Sequence, residues 1–296
     1  MGRAVLLLFN PDKPEVASAL PEVRELVAAA GGRVVAEHAA LVDGPFADAG
    51  GAEIVVVLGG DGTLLTQSQR CVALGLPLLG VNLGNVGYLA EFDLPALREQ
   101  AKDLFCSGPL RTVDRAMLAA SVQRCTESSP AIPPRTALND CVVTAGPPFR
   151  MIALRMSIDG QPGPTVTGDG LIVATPVGTT AYNASAGGPI IAPDVRALAV
   201  TPIAAHSLSF RPVVVAGSST VELTMVRVNG PRDAAQGGGT TLVLDGQLVG
   251  RLHQGDTVTI RLAERPLRFV PNPRSQYWQT LIRKMNWAAP PQSRTA

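Results

Sequence analysis

The chain opens on an unbroken apolar run, Ala4–Phe9, followed by Val16, Leu20, Val23 and Val27 at the three-to-four spacing of one helix face. The run predicts a buried strand, and the spacing predicts a helix over residues 14–30 that Gly31-Gly32 ends. The alternation then repeats. RVVAEH is a second strand, residues 53–58 a third, residues 62–74 a helix, LPLLGVN a fourth strand entering a glycine-rich loop, and residues 94–107 another helix. Strands alternating with helices predict a parallel sheet with crossover connections. After Gly108 the pattern changes. Short runs such as MLAASVQ, DCVVTA, MIALRMSID, GLIVATP, PVVVAG, VELTMVRV and TLVLDGQ, separated by turn formers, predict a mostly β second half. TESSPAIPP and NGPRDAAQGGG offer no apolar face and read as mobile hairpin connections. SQYWQTLIRKMNW returns to helix, with Tyr277, Leu281 and Met285 on one face beside Trp278 and Ile282. So apolar a helix must pack, either on the N-terminal domain or on a subunit partner. The predicted organisation is an α/β domain over residues 1–108, a β-rich domain over 109–270 and a tail helix in 271–296.

Composition narrows the function classes. With 296 residues and 46% hydrophobic positions, the chain has room for about two ordinary cores. A formal net charge of +1, spread along the chain, gives no footprint for nucleic acid or an anionic membrane. Aromatics, at 4%, are too few for a single-strand stacking platform. A small-molecule ligand fits better. Cys71, Cys106, Cys125 and Cys141 lack the paired short spacings of a zinc site and read as reduced and mostly structural. Asn, Pro and Asp follow the first apolar run where a leader would place a small-residue cleavage site, and Leu6 stands where a myristoylation signal needs Ser or Thr. The expected compartment is the cytoplasm.

The candidate chemistry lies at IVVVLGGDGTLLTQ, where a buried strand ends in Gly59-Gly60-Asp61-Gly62. In an open parallel sheet, ligands bind beyond the carboxyl ends of the strands. Glycines let the backbone approach a phosphate, and a helix starting at Gly62-Thr63 offers free N–H groups and a favourable dipole. The loop lacks a terminal Lys, so it is not a Walker A loop, and its spacing is not that of a dinucleotide fingerprint. A bare Asp-Gly pair is also an ordinary tight turn. A carboxylate beside a phosphate cradle is costly unless it handles a metal ion or accepts a proton from a nucleophile, which singles out Asp61.

Taken in order, GGDGT at 59–63, GVNLGNVGYLAEF at 80–92, LND at 138–140, GDGLIVATPVGTTAYNASAGGP at 168–189 and LSFRPVVV at 208–215 resemble the NAD kinase family over nearly the whole chain. GGDGT alone is shared with diacylglycerol and sphingosine kinases and, more loosely, with phosphofructokinases. The long hydroxyl-rich block narrows the resemblance to NAD. The resemblance implies an N-terminal domain of the phosphofructokinase and diacylglycerol-kinase type, with Asp61 as the catalytic carboxylate. It implies Gly59, Gly60, Gly62 and Thr63 as ATP phosphate contacts. It implies NAD contacts at Asp61, Gly62, Asn139, Asp140, Arg150, Thr167, Asp169, Thr180, Ala181, Tyr182, Asn183, Ala184, Ser185 and Gln247. Three positions depart from the family pattern: Val177 where a hydroxyl is usual, Asp140 where Glu is usual, and Thr167 where many relatives have Arg.

The implied reaction is transfer of the γ-phosphoryl group of ATP, with Mg²⁺, to the 2′-hydroxyl of the adenosine ribose of NAD. No protein-bound metal and no tightly bound organic cofactor are expected. The implied assembly is a homo-oligomer, dimer or tetramer. A lipid kinase of the same superfamily would need an acyl groove, against which the hydroxyls of 175–187 argue, and an intact Asp61 disfavours a non-catalytic NAD-binding regulator, which NAD binding without turnover would favour.

Overall fold

A computed structural model describes residues 2–40, 49–84, 87–126, 130–230 and 238–287. The chain divides into two compact units, one built from residues 1–113 and 268–296, the other from 114–267.

The first unit is α/β. Strand β1 (Ala4–Phe9) leads through helix α1 (Pro14–Ala29) to β2 (Arg33–Ala39); β3 (Ile54–Leu58), helix α2 (Asp61–Leu74), β4 (Leu78–Val81) and helix α3 (Leu94–Phe105) follow. Proline opens α1, where a missing N–H costs nothing, and its buried face is Val16, Ala19, Leu20, Val23 and Val27. Gly75, at φ +65, terminates α2 in the left-handed conformation, and the Asp93 carboxylate caps α3 by accepting from Ala96 N–H at 2.8 Å. Helices α1 and α3 bury their apolar faces on β1, β3 and β4, where Val5, Leu7, Ile54, Val56, Leu58, Leu79 and Val81 share one core with Phe92, Leu97 and Phe105.

Two short strands complete the sheet, β5 (Val113–Arg115) and, far along the chain, β18 (Leu267–Phe269). The order is β2-β1-β3-β4-β18-β5, and β1/β2, β1/β3, β3/β4 and β4/β18 pair in parallel. Strand order therefore reverses at β1, with β2 on one side and β3 on the other. The carboxyl end of β3 lies at this switch point.

The second unit is antiparallel β. Its strands are β6 (Leu118–Gln123), β7 (Ile132–Ala137), β8 (Asp140–Thr144), β9 (Ile152–Ile158), β10 (Gln161–Gly168), β11 (Gly170–Ala174), β12 (Ala197–Ile203), β13 (Val213–Ala216), β14 (Val221–Arg227), β15 (Thr241–Leu244), β16 (Gln247–Arg251) and β17 (Thr257–Leu262). They form sheets of order β10-β9-β14-β17-β6-β7 and β13-β12-β11-β8-β15-β16. Alternate residues of both sheets, among them Leu118, Val143, Leu154, Leu171, Val200, Leu223, Leu242 and Ile260, meet in one core. The second sheet also buries its opposite face, through Val142, Ile172, Ala174, Ala197 and Ala199 packed with Ile191, so β11 is apolar throughout.

The sequence pattern missed β7 and β10, whose segments IPPRTA and QPGPTVTG contain prolines. Both are edge strands, where a missing N–H can face away from the ladder. The hairpins at Asp159-Gly160 and Asp245-Gly246 turn with positive φ at both central residues, the conformation that matches strand twist. Of the two expected hairpin connections, residues 127–129 and 231–237 lie outside the described residues.

The tail forms helix α5 (Tyr277–Met285). It packs back within the first unit through Thr280 and Leu281, leaving Trp278 and Ile282 half-exposed. Among the described residues no helix is long and apolar enough to cross a membrane.

Candidate active site

The all-apolar β3 delivers Gly59 to the switch point, where its N–H donates to Val81 O at 2.9 Å. Gly59 has φ +153, and a Cβ there would stand 2.5 Å from Thr63 Oγ1. The residue must be glycine for both reasons. Helix α2 begins at Asp61, one residue earlier than its sequence pattern suggests, after Gly60 as an N-cap without a side-chain bond. The Thr63 N–H is already committed to Gly60 O at 2.9 Å. At the start of α2 the N–H groups of Gly60, Asp61 and Gly62 have no acceptor among the described residues. They form the anion-accepting start of the helix.

Asp61 does not project freely. Its Oδ2 accepts from Tyr88 N–H at 2.8 Å, and its Oδ1 from Leu89 and Ala90 N–H at 3.0 Å each. A carboxylate has about four acceptor positions, so these three bonds fix its plane and leave about one for a ligand. Gly87 makes the approach possible, since a Cβ there would meet Asp61 Oδ1 at 1.7 Å. Phe92 ties the far side of the loop to β4, donating to Gly80 O at 3.2 Å and accepting from Asn82 N–H at 2.7 Å.

The second unit gathers most of the other predicted residues at one end of its second sheet. Asp245, in the β15–β16 turn, accepts from Leu138 N–H at 2.7 Å, Asn139 N–H at 2.7 Å and Asp140 N–H at 3.1 Å. Thr175, at the end of β11, is fully buried, donates to Leu138 O at 2.5 Å and accepts from Gly178 N–H at 3.1 Å. A Cβ on Gly178 would lie 2.0 Å from Asn139 O. The threonine-rich block is thus pressed onto the Asn139-Asp140 segment. A 3-10 turn (Val177–Thr180) and the short helix α4 (Tyr182–Ser185) follow, with Ala181 between them.

Within this cluster the residues differ in what they can offer. Tyr182, Ser185 and Gln247 are exposed, and Asn139, Thr180, Ala181 and Ala184 are half-buried. Asn183 is buried with its amide committed: Nδ2 donates to Thr179 O at 3.2 Å and Pro189 O at 2.9 Å, and Oδ1 accepts from Thr201 Oγ1 at 2.7 Å. Its side chain therefore shapes the block. The Thr180 hydroxyl donates to Val177 O at 3.2 Å. Asp140 is only 5% exposed, and burial followed by the neighbouring Asp245 charge pushes its carboxyl up to about 7. Burial also raises the Asp245 carboxyl, against the lowering effect of its three N–H donors.

Asp169 lies at the other end of the same strands; Thr167, two residues before it, belongs to β10 of the first sheet of this unit, and Arg150 lies in the connection between β8 and β9. Asp140 pairs with Ala174, whereas Asp169 precedes Gly170, which pairs with Thr144. Asp140 and Asp169 are separated by the length of β11, about 17 Å of extended chain. Asp169 is exposed between Gly168 and Gly170, both of which pack directly against backbone carbonyls. Arg150 is exposed, its carbonyl held by Asn229 Nδ2 at 2.8 Å. Among the described residues no group of three or more His, Cys, Asp or Glu could hold a metal ion.

Three residues important to this geometry are missing from the sequence reading. Asp245 looks like half of an Asp-Gly turn, Thr175 like one hydroxyl among many, and Gly87 like one glycine of a loop. Their spacing to the residues they support carries no short-range signal.

Comparison with known proteins gives one consistent result. The family described as ATP-NAD kinase N-terminal domain matches residues 40–108, and ATP-NAD kinase C-terminal domain matches 138–272. An NAD kinase of Koribacter versatilis is 34% identical over 294 residues, covering 96% of this chain and 98% of the relative. One of Desulforamulus reducens is 39% identical over 233 residues, covering 79% and 77%. Among solved structures, yeast NADH kinase complexed with NADH is similar with a TM-score of 0.80 at 22% identity, covering 97% of this chain and 88% of that one. An NAD kinase from Archaeoglobus fulgidus in complex with ATP gives 0.73 at 23%, covering 96% and 98%.

Proposed function

The chain belongs to the NAD kinase family, and from that premise we propose that it transfers the γ-phosphoryl group of ATP to the 2′-hydroxyl of the adenosine ribose of NAD, yielding NADP and ADP. The observation that carries the assignment of roles is Asp61, a carboxylate at the sheet's switch point whose plane is set by three N–H donors. Phosphoryl transfer needs chiefly alignment and charge neutralisation. A carboxylate held in this way accepts a hydrogen bond from the attacking hydroxyl along one direction and then takes its proton.

Gly59, Gly60, Gly62 and Thr63 are assigned to the phosphates of ATP, through the open N–H groups at the start of α2 and its dipole. ATP is read as entering with Mg²⁺ on its own phosphates, because Asp61 has little acceptor capacity left to hold a bare ion. The second unit is assigned to NAD. The exposed Tyr182 ring offers a stacking face, and Asn139, Asp140, Thr180, Ser185 and Gln247 offer polar groups at the same end of the sheet. Ala181 and Ala184 leave room for the ligand, and Asn183 holds the block in shape. Arg150, Thr167 and Asp169 are assigned to a part of the ligand remote from Asn139.

The oligomeric reading is supported by half-exposed Val213 and Val214 on an edge strand and by exposed Leu208, Trp278 and Ile282. Light scattering of the purified protein checks it, and a monomer at assay concentration would dispose of it.

The test of function is a coupled assay for NADP with ATP, Mg²⁺ and NAD, run beside Asp61→Asn. Product from the wild type alone is expected. Equal turnover by the variant would remove Asp61 from the reaction, and no product from either protein would sink the assignment as a whole.

A further inference from the structure

The loop that orients Asp61 is itself held by the far end of the chain. Asn272 is 7% exposed and grips Glu91 twice: its N–H donates to Glu91 Oε2 at 2.9 Å, and its Nδ2 donates to Glu91 O at 2.9 Å. The Asn272 Oδ1 accepts from Gln100 Nε2 at 3.1 Å and from Arg274 N–H at 3.0 Å, which fixes the amide that holds Glu91. Glu91 directly follows Ala90, one of the three donors to Asp61. Further along, the Lys284 ammonium on α5 stands 5.2 Å from the centroid of the Tyr88 ring, and Tyr88 is another of those donors. Between these contacts, Thr280 and Leu281 bury α5 within the same unit.

We propose that Asn272 and Lys284 are positioning residues for the phosphoryl transfer: the C-terminal segment clamps residues 88–91 from both ends and so sets the direction of the Asp61 carboxylate. The physical reason is the lack of regular structure in the loop. Residues 87–90 form no helix or strand and are closed by a single internal bond, from the Gly87 N–H to Ala90 O at 3.1 Å, so the aim of the other N–H groups depends on restraints from outside the loop. Phe92 restrains one side by its bonds to β4. The tail supplies the other restraint, through one buried amide and one cation over a ring. Neither residue touches a reacting atom in this scheme. The inference rests on the kinase reading of Asp61 given above.

The experiment uses the full chain. Lys284 is exposed, so Lys284→Ala is expected to fold normally, and Lys284→Arg keeps a cation over the ring. Lys284→Ala should lower kcat on the order of ten-fold with KM for ATP and NAD unchanged, and Lys284→Arg should restore most of it. Asn272→Ala should lower kcat further. Because that variant can also lose fold, its kcat is read beside its melting curve.

Two controls separate this inference from the reading beneath it. In an Asp61→Asn background the Lys284→Ala change should have no further effect on turnover. Independently of catalysis, hydrogen exchange at the amides of Tyr88, Leu89 and Ala90 should speed up in Lys284→Ala. Full activity of Asp61→Asn would overturn the role of Asp61. Unchanged kcat and unchanged protection of these amides in Lys284→Ala would overturn the clamp, whatever Asp61 does.

Discussion

Asp245 and Asn139 lie 106 positions apart and are joined by a 2.7 Å hydrogen bond from the Asn139 N–H to Asp245 Oδ1. The same carboxylate takes the N–H groups of Leu138 and Asp140, so one turn residue sets the backbone of the segment assigned to NAD. Asp245→Ala leaves three inward N–H groups without an acceptor, and hydrogen bonds to a charged group contribute about 1.5–3 kcal/mol each. A loss of about 3 kcal/mol in urea denaturation is expected, together with weaker NAD binding by calorimetry. Unchanged stability would show that the segment holds its shape without Asp245.

Asp140 gives the protein a pH response of known sign. Burial, then the Asp245 charge, raises its carboxyl to about 7, whereas an exposed Asp titrates near 4. Between about pH 4 and 7 the folded state therefore keeps a proton that the unfolded chain has released, so this group's contribution to stability falls as pH rises through that window and is flat above it. Asp245, also raised, acts in the same direction. Thermal melts at pH 5 and pH 8 should show Asp140→Asn gaining on the wild type at the higher pH. Parallel pH responses would mean that Asp140 is ionised throughout.

Arg124 and Asp256 form a largely buried pair at 2.6 Å, with side-chain exposures of 11% and 3%. Burial alone would raise the Asp256 carboxyl, yet the His253 N–H, the Arg124 guanidinium and the Cys125 N–H together hold it below the ordinary range. Its stabilisation is complete above the ordinary carboxylate range and is lost as pH falls through the lowered value. Arg124→Met strands the carboxylate and should cost about 3–5 kcal/mol at neutral pH, less in acid. A loss that stays the same as pH falls through the range where the carboxylate takes up its proton would contradict the pairing.

Gly87→Ala tests the approach of the loop to Asp61. A Cβ at 1.7 Å from Oδ1 cannot be accommodated unless the loop or the carboxylate moves. A misplacement of about 1 Å can cost about a hundred-fold in kcat. That drop, in a protein whose far-ultraviolet circular dichroism is unchanged, is the expected result. Normal turnover would show that catalysis tolerates a different Asp61 orientation.

The Tyr88 hydroxyl is buried without a hydrogen-bond partner among the described residues. An unmade hydrogen bond of this kind costs about 1–3 kcal/mol, so Tyr88→Phe should leave the melting temperature unchanged or raise it while keeping the ring beneath Lys284. A clear fall in melting temperature would reveal a partner for the hydroxyl.

Local chemistry along the chain is enough to place most of the framework and the chief catalytic candidate. Apolar runs such as Ala4–Phe9 and Ile54–Leu58 become buried parallel strands, and Gly59-Gly60-Asp61-Gly62 marks a strand end. These readings depend on neighbours a few positions away, and burial or backbone conformation answers to them directly. The prolines of β7 and β10 show where that logic stops: their tolerance comes from an edge position, which only the strand order assigns. Strand register likewise sets Asp169 at one end of β11 and Asp140 at the other. Asp61 meets its donors 27 to 29 positions away, Asp245 meets 138–140 across more than 100, and Asn272 reaches Glu91 across 181. Partners at such separations are chosen by which strand ends and loops the packed cores bring side by side. Residue identity at Asp61 supplies a carboxylate, and the tertiary structure decides where it points.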